Sequence, residues 1–183
     1  MKKVIIALLV LTACGTSVFA GEFQKEGSAL LGYAMPSGDA GDLIDGGVAF
    51  GLDFDGYKIN DMFSVGGTFL YTNSAEKTVA SVDWTISTWG LTPYVKYSKE
   101  VAMGSMKPTV FALAGVGMYG VTIEQSIPGY SVEASDSEFG FNIGGGIMFP
   151  MGDKMKLGLD MRYHLVYSDL SYFIPAAKFT YSF

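Results

Sequence analysis

The stretch that decides the fold is FIPAAKFTYSF, residues Phe173 to Phe183. Its apolar or aromatic side chains stand at every second position, and the residues between them are small or polar. The apolar positions are Ala177, Phe179, Tyr181 and Phe183. A period of two is the pattern of a β-strand with one apolar face and one polar face. The segment therefore predicts a strand that lies between an apolar environment and a polar one.

The composition points to a membrane protein without membrane-spanning helices. Of the 183 residues, 49% are hydrophobic and 16% are charged, and the mean hydropathy is +0.30. No run of about 18 apolar residues, the length that a spanning helix needs, follows residue 20. Because a bilayer admits only helices and closed barrels, a transmembrane β-barrel remains. A soluble β-barrel is the alternative.

Residues 1–20 have the pattern of a secretory signal peptide. Two lysines give a positive start, an apolar run follows, and Val18-Phe19-Ala20 fits a cleavage site. We expect cleavage after Ala20, which leaves residues 21–183 as a single cysteine-free domain. In the alternative interpretation, the segment from Leu11 to Gly15 resembles a lipobox, with Cys14 as a lipidated first residue.

The same alternation recurs along the chain and predicts eight strands, separated by segments rich in turn-forming residues. The predicted strands are Ser28–Met35, Gly47–Tyr57, Met62–Thr72, Val82–Ser98, Pro108–Ile123, Glu138–Phe149, Met155–Val166 and Phe173–Phe183. Long and short connections mostly alternate, which is typical of barrels with short periplasmic turns and longer external loops. The sequence thus predicts an all-β fold, an eight-stranded antiparallel up-and-down transmembrane β-barrel with both termini on the periplasmic side.

Two parts of this assignment are less determined by the pattern. In the strand Pro108–Ile123, the face that carries Phe111 and Tyr119 is apolar, and so is the face that carries Ala112. Either face of this strand could therefore point to lipid. Residues 124–137 show no clear apolar alternation and contain Pro128-Gly129, so we predict a loop there.

The mature chain resembles the small OmpA-like outer-membrane β-barrel family. The run Arg162-Tyr163-His164 and the alternation that ends on Phe183 fit the last two strands of that family. The resemblance implies that Phe179, Tyr181 and Phe183 form the signal that the barrel-assembly machinery reads. It also implies an integral protein of the bacterial outer membrane, in contact with its lipids and with lipopolysaccharide. We expect a monomer.

The polar faces of the strands predict a lumen plugged by side chains. An eight-stranded barrel has room inside for side chains only. The predicted polar network consists of Asp53, Tyr94, Lys96, Glu138, Asn142, Asp160, Arg162, His164 and Lys178. Its charges must pair, because burying an unpaired ion costs several kcal/mol. We expect Arg162 to bind Asp160 or Glu138, and the two lysines of the set to balance Asp53.

Three functions fit this architecture. His164 is either a structural histidine of the lumen or rim, which is the interpretation we favour, or the general base of a lipid-modifying hydrolase. The second interpretation arises because outer-membrane lipid A deacylases resemble this scaffold and carry a His-x-Ser pair on a late strand. Here Ser168 lies four residues after His164, about 13 Å along a strand, whereas a nucleophile and its base need contact near 3 Å. We therefore expect no enzyme but a barrel with a structural or interaction role. A porin-like channel for small solutes is the main alternative.

The predicted external loops are acidic. They carry Asp39, Asp42, Asp45, Glu76, Glu124, Glu133, Asp136 and Asp169 against Lys77. We interpret them as a solvated surface beside lipopolysaccharide, bridged by divalent cations. The first three aspartates are spaced by three residues, not by two as in an EF-hand, so we predict no metal site and no cofactor. A net charge of −6 at pH 7 argues against nucleic acid as a partner.

Overall fold

The structure is a computed structural model that describes residues 25–38, 44–75, 77–79, 82–104, 106–127, 130–166 and 170–183. Outside this part of the chain lie the predicted signal peptide with Cys14, and the loop residues Asp39, Asp42, Glu76, Ser168 and Asp169. The described residues form nine strands. These are β1 (Glu26–Ser37), β2 (Gly47–Lys58), β3 (Phe63–Ser74), β4 (Lys77–Val79), β5 (Val82–Glu100), β6 (Thr109–Ile127), β7 (Tyr130–Pro150), β8 (Met155–Leu165) and β9 (Ser171–Ser182). No helix among the described residues is long and apolar enough to cross a membrane.

Eight of these strands close into an antiparallel ring, which confirms the predicted fold class. The order around the ring is β1, β2, β3, β5, β6, β7, β8 and β9, and β9 pairs with β1 to complete it. The short strand β4 pairs with the start of β5 and lies outside the ring. Every ring strand is thus paired on both sides over part of its length, and the backbone groups of these parts are satisfied without water.

The two ends of the barrel differ. We call one the turn end, because it carries the connections β2–β3, β5–β6 and β7–β8 together with Lys25 and Phe183, whose backbones are joined by a 3.0 Å hydrogen bond. The other is the loop end, which carries the connections β1–β2, β3–β5, β6–β7 and β8–β9.

The outer face of the ring is an apolar belt. Its exposed aliphatic and aromatic side chains include Leu31, Val48, Phe50, Leu52, Phe69, Leu91, Val95, Val116, Phe141, Ile143, Leu159, Phe173 and Phe179. In water this area would carry a penalty of roughly 25 cal/mol for each Å². Hydrocarbon removes that penalty, so the belt is the surface that faces lipid.

The face of β6 that the sequence left open is now assigned. The bulky residues Phe111, Leu113, Tyr119 and Val121 are buried inside the barrel, and the smaller Ala112, Ala114 and Val116 point outward. Glycines on the neighbouring strands make room for the largest of the buried rings. A Cβ at Gly90 would lie 2.6 Å from the ring of Tyr119, and one at Gly140 would lie 2.7 Å from it. Volume inside the barrel therefore decides the orientation of this strand.

The loop predicted at residues 124–137 is wrong over most of its length. Strand β6 runs to Ile127 and β7 begins at Tyr130. The two strands pair continuously from these residues to Thr109 and Met148. Most side chains of this hairpin are exposed on both faces, because it projects beyond the ring at the loop end. With water on both sides, neither face needs to be apolar, and the period of two that marks the other strands is absent.

Leu159 tests the assignment of the outer face. It lies in the middle of β8 and is 58% exposed. Leu159→Arg should lower the free energy of unfolding by about 2–4 kcal/mol, because the bilayer midplane cannot solvate a guanidinium. Urea titration in phospholipid vesicles, followed by tryptophan fluorescence, measures this change. Met151→Arg, in the exposed turn after β7, is the control and should shift stability by no more than about 0.5 kcal/mol; equal losses in the two variants would contradict the assignment.

Candidate functional site in the barrel lumen

The centre of the lumen holds a four-residue ion cluster of Asp53, Asp160, Arg162 and Lys178. Arg162 donates from Nε to Asp160 Oδ1 at 2.8 Å and from Nη2 to Asp160 Oδ2 at 2.7 Å. Its Nη1 donates to Asp53 Oδ1 at 3.1 Å. Lys178 Nζ donates to Asp53 Oδ2 at 2.6 Å and to Asp160 Oδ2 at 3.3 Å. Each cation therefore bonds both carboxylates, and no member is more than 3% exposed.

The strand pattern explains how these residues meet. Asp160 and Arg162 are two positions apart on β8 and so share its inner face. Lys178 lies on the neighbouring strand β9, where it pairs with Gly158 of β8. Gly158 is two positions before Asp160 and therefore lies on the same inner face of β8. In β7, Gly144 faces Arg162, where a Cβ would lie 2.6 Å from the arginine Cγ. Because Gly144 has no side chain, the side chain of Arg162 has room to extend from β8 into the lumen.

Arg162 spans the lumen from wall to wall. Its Nη1 also donates to Thr68 Oγ1 at 2.9 Å, and Thr68 in turn donates to Asp53 Oδ1 at 2.7 Å. Thr68 belongs to β3, which is four strands away from β8 around the eight-strand ring. The planar guanidinium suits this task, because its donors form a rigid fork that binds two carboxylates at once.

Two further ion pairs lie towards the turn end. Lys96 forms an ion pair with Asp55, and the Tyr94 hydroxyl donates to the same carboxylate at 2.8 Å. At the rim, Lys156 Nζ donates to Glu26 Oε1 at 2.9 Å. The described lumenal ions are thus four acids and four bases, grouped so that each group is neutral. A lumen built in this way offers no excess charge to attract a solute ion.

An uncharged network lies on the loop-end side of the ion cluster. Asn142 Nδ2 donates to Thr92 Oγ1 at 2.9 Å and to Tyr119 Oη at 3.2 Å. The Tyr119 hydroxyl lies 2.9 Å from His164 Nδ1. His164 is 1% exposed and points into the barrel, not to lipid. Its ring is therefore held by a phenol in a closed interior.

The structure separates the residues of the predicted network into groups. Glu138 does not join them: it is exposed, because β7 pairs with β8 only from Phe141 onward and Glu138 lies beyond that point. The proposed bond between Arg162 and Glu138 is therefore wrong. The partner of Arg162 on its own strand is Asp160.

The predicted partner of Lys96 was also wrong. Lys96 pairs with Asp55 and not with Asp53, because the stagger of the strands brings it to the level of the next inward carboxylate. The sequence could have indicated Asp55 as a lumenal carboxylate, since it lies two residues after Asp53 on the same face of β2. The rim pair of Glu26 and Lys156 was missed for a similar reason. Both residues have the inward phase of their strands, but their meeting depends on the closure of the ring.

The lumen has little free space in the described part of the chain. A cavity of about 10 Å³ lies beside Arg162 and His164, room for about one water molecule. A pocket of about 60 Å³ lies towards the turn end between Lys96, Lys156 and Lys178. Arg162 and its partners separate the two spaces.

Removing the arginine tests the cluster. Arg162→Ala should destabilise the barrel by about 3–5 kcal/mol, because Asp53 and Asp160 would share a single cation in a buried site. Urea or thermal unfolding in detergent measures the loss. Lys99→Ala removes an exposed cation and is the control, with an expected change of about 0.5 kcal/mol or less. A loss below about 1 kcal/mol for Arg162→Ala would mean that the cluster contributes no more than a surface ion pair.

Comparisons with known proteins agree with this architecture. The sequence profile of the Outer membrane protein beta-barrel domain matches residues 6–183. The structure of Ail, the attachment invasion locus protein of Yersinia pestis, in complex with the heparin analogue sucrose octasulfate, has a TM-score of 0.58 at 18% identity and covers 87% of this chain and 99% of that one. Neisserial surface protein A has a TM-score of 0.58 at 14% identity, with coverage of 90% and 99%. The N-terminal β-barrel domain of Pseudomonas aeruginosa OprF has a TM-score of 0.50 at 12% identity, with coverage of 89% and 99%. No curated protein matches the sequence.

These structural likenesses concern the fold alone, because the identities are low. The match to the family profile carries more weight, since it extends over nearly the whole chain. The closed eight-strand ring, the apolar belt and the polar lumen agree with it. The chain belongs to the family of outer membrane protein beta-barrel domains and is an integral protein of the bacterial outer membrane.

Proposed function

We propose that this protein is a closed barrel with a structural and interaction role, and that its contacts with partners lie at the loop end. The observation that carries the proposal is the bonding of Arg162 across the lumen to Asp53 and Thr68. An ion crossing the barrel would have to break these bonds or pass a neutral, tightly bonded group. The first route leaves buried charges of the protein without partners, and the second leaves the passing ion itself without a counter-ion. Both are costly.

A hydrolase on the same scaffold is less well supported. Its substrate would be a membrane lipid, which reaches the barrel from the outer face or the rim. His164 is buried on the inner face, and its Nδ1 contacts the Tyr119 phenol. A base in this position has no lipid to act on.

The loop end carries an acidic surface suited to cationic groups. The exposed residues Glu124, Glu133, Asp136 and Glu138 lie on the projecting part of β6 and β7. The Ail structure contains sucrose octasulfate, a polyanion. A polyanion would be repelled here, so we propose divalent cations beside lipopolysaccharide and cationic groups of partners as the natural neighbours of this surface.

Planar-bilayer recording tests the closed lumen. The purified wild-type protein should show no large, steady single-channel current, because Arg162 bonds across the lumen to Asp53 and Thr68. Arg162→Ala should raise the leak, and Lys99→Ala should not. A large and steady conductance in the wild type would refute the proposal and support the small-solute channel.

We also propose that the aromatic face of β9 is read during assembly. Phe179 and Tyr181 lie on the outer face of the strand, and Phe183 follows directly after its last residue. The rings of Tyr181 and Phe183 stack edge to face with centroids 5.1 Å apart. Phe183 is 72% exposed at the turn end, so it supports folded packing little. Its ring is available to the barrel-assembly machinery.

Phe183→Ser should therefore reduce the amount of protein in the outer membrane several-fold. It should leave the stability of the refolded barrel within about 1 kcal/mol of wild type. Quantitative immunoblots of outer-membrane fractions measure the first effect, and urea titration measures the second. Phe173→Ser makes the same change on the same face of β9 at the loop end and should assemble more normally. Wild-type levels of the Phe183 variant would count against a role in assembly.

A further inference from the structure

Strand β7 has a free edge at the loop end. It pairs with β6 along its whole length, from Tyr130 onward, but with β8 only from Phe141 to Pro150. The connection from β8 to β9 closes at the level where this pairing stops, with a 3.1 Å bond from Val166 N–H to the Leu170 carbonyl. Among the described residues, the part of β7 from Tyr130 to Gly140 is therefore paired on one side only.

The hydrogen-bond pattern identifies the backbone groups on that edge. Val101 N–H bonds the Pro108 carbonyl at 2.9 Å, which fixes the phase of the ladder between β5 and β6. With the strand registers, this phase can be followed from β5 through β6 to β7. The backbone N–H and C=O groups of even-numbered residues in β7 point towards β6, and those of odd-numbered residues point away from it. The bond between Val166 and Leu170 agrees with this pattern, because it shows that even-numbered residues of β8 bond to β9, which leaves the odd-numbered ones to bond to β7. The residues that present N–H and C=O to the free edge are Ser131, Glu133, Ser135, Ser137 and Phe139.

One contact agrees with this assignment. The N–H of Ser137 donates to the side chain of Asp136 at 2.7 Å, and not to a neighbouring strand. The side chain of Asp136 therefore accepts a hydrogen bond from one N–H group of the edge, and no strand of the described residues pairs with it. Such an unpaired row of donors and acceptors is a template for an added strand.

The charges on this edge favour one kind of occupant. Glu124 and Glu133 stand directly opposite each other in the β6–β7 ladder, and both are exposed. Like charges in this position repel each other, and a neighbouring cation would relieve the repulsion. Asp136 and Glu138 add negative charge on the other face of the strand, and no lysine or arginine occurs from residue 130 to 140.

We propose that the free edge of β7 accepts an extended segment of a partner protein, with lysine or arginine at alternate positions, as an added β-strand. Backbone bonds to the odd-numbered residues hold the segment, and its cations face Glu133 on one side of the sheet or Asp136 and Glu138 on the other. A second copy of this chain fits less well. Antiparallel pairing of two such edges would bring their carboxylates close together, and residues 130–140 offer no lysine or arginine to offset the repulsion. The inference rests on the proposed interaction role and names the chemistry of the partner.

Peptide binding to the full barrel in detergent micelles tests the proposal. The probe is a fluorescein-labelled decapeptide of alternating lysine and threonine, and binding is followed by fluorescence anisotropy. Wild type should bind it, and a decapeptide of alternating glutamate and threonine should not bind. Hydrogen exchange at the amides of Ser131, Glu133 and Ser135 should slow when the lysine peptide is present. Exchange at the turn end should not change.

Two variants separate strand addition from simple attraction between charges. Ser135→Pro removes one N–H from the free edge, leaves the ladder to β6 and keeps every charge, because proline is tolerated where the N–H faces solvent. It should weaken binding at least tenfold, whereas Ser135→Ala should bind like wild type. Glu133→Gln keeps the edge and removes one charge, and should weaken binding several-fold. Protection of the Val132 and Ala134 amides verifies that the hairpin is intact in each variant.

Equal affinity of wild type and Ser135→Pro would overturn the proposal, because binding would then depend on charge alone. Failure of the lysine peptide to bind, or equal binding of the glutamate peptide, would also overturn it. So would a wild-type dimer in sedimentation that Ser135→Pro abolishes, since the edge would then serve a second copy. None of these results depends on bilayer conductance, so the closed lumen and the strand-addition site stand or fail separately.

Discussion

Arg162 joins its own strand to the opposite wall of the barrel by bonding Asp53 and Thr68 in a buried interior. This arrangement sets a demand on the rest of the lumen. Every ion placed there must find a counter-ion at its own depth, because the interior cannot screen an unpaired charge. The neutral pairs of Lys96 with Asp55 and of Lys156 with Glu26 meet that demand towards the turn end.

The same constraint explains the distribution of side-chain sizes. A barrel of eight strands has a fixed and narrow cross-section, so a long side chain on one strand requires a gap on another. Gly144 makes the gap for Arg162, and Gly90 and Gly140 make the gap for Tyr119. Packing and electrostatics in the described part of the lumen thus depend on the same residues.

The alternation of side chains predicted most of the architecture, because a two-residue period is a local property of a strand between lipid and a polar interior. The pair of Asp160 and Arg162 was predictable for this reason, since both residues are on one strand. The pairing of Lys178 with Asp53 was also predicted and is confirmed. The partner of Lys96 was not, because it depends on the stagger between strands far apart in sequence. The prediction therefore gave Asp53 as the partner of Lys96, whereas the structure pairs Lys96 with Asp55. The hairpin beyond the ring escaped prediction because water on both faces removes the apolar signal.

The central cluster also has a consequence for the order of folding events. Asp53 is separated from Arg162 by 109 positions and from Lys178 by 125, since β2 is near one end of the chain and β8 and β9 are near the other. These charges meet only when β1 and β9 come together and close the ring. Until then Arg162 and Lys178 can reach only Asp160, which lies on β8 itself, and Asp53 remains with its own hydration shell. Closure of the seam and neutralisation of the whole cluster by Asp53 are therefore one event, and the long local hairpin of β6 and β7 does not need it in order to form.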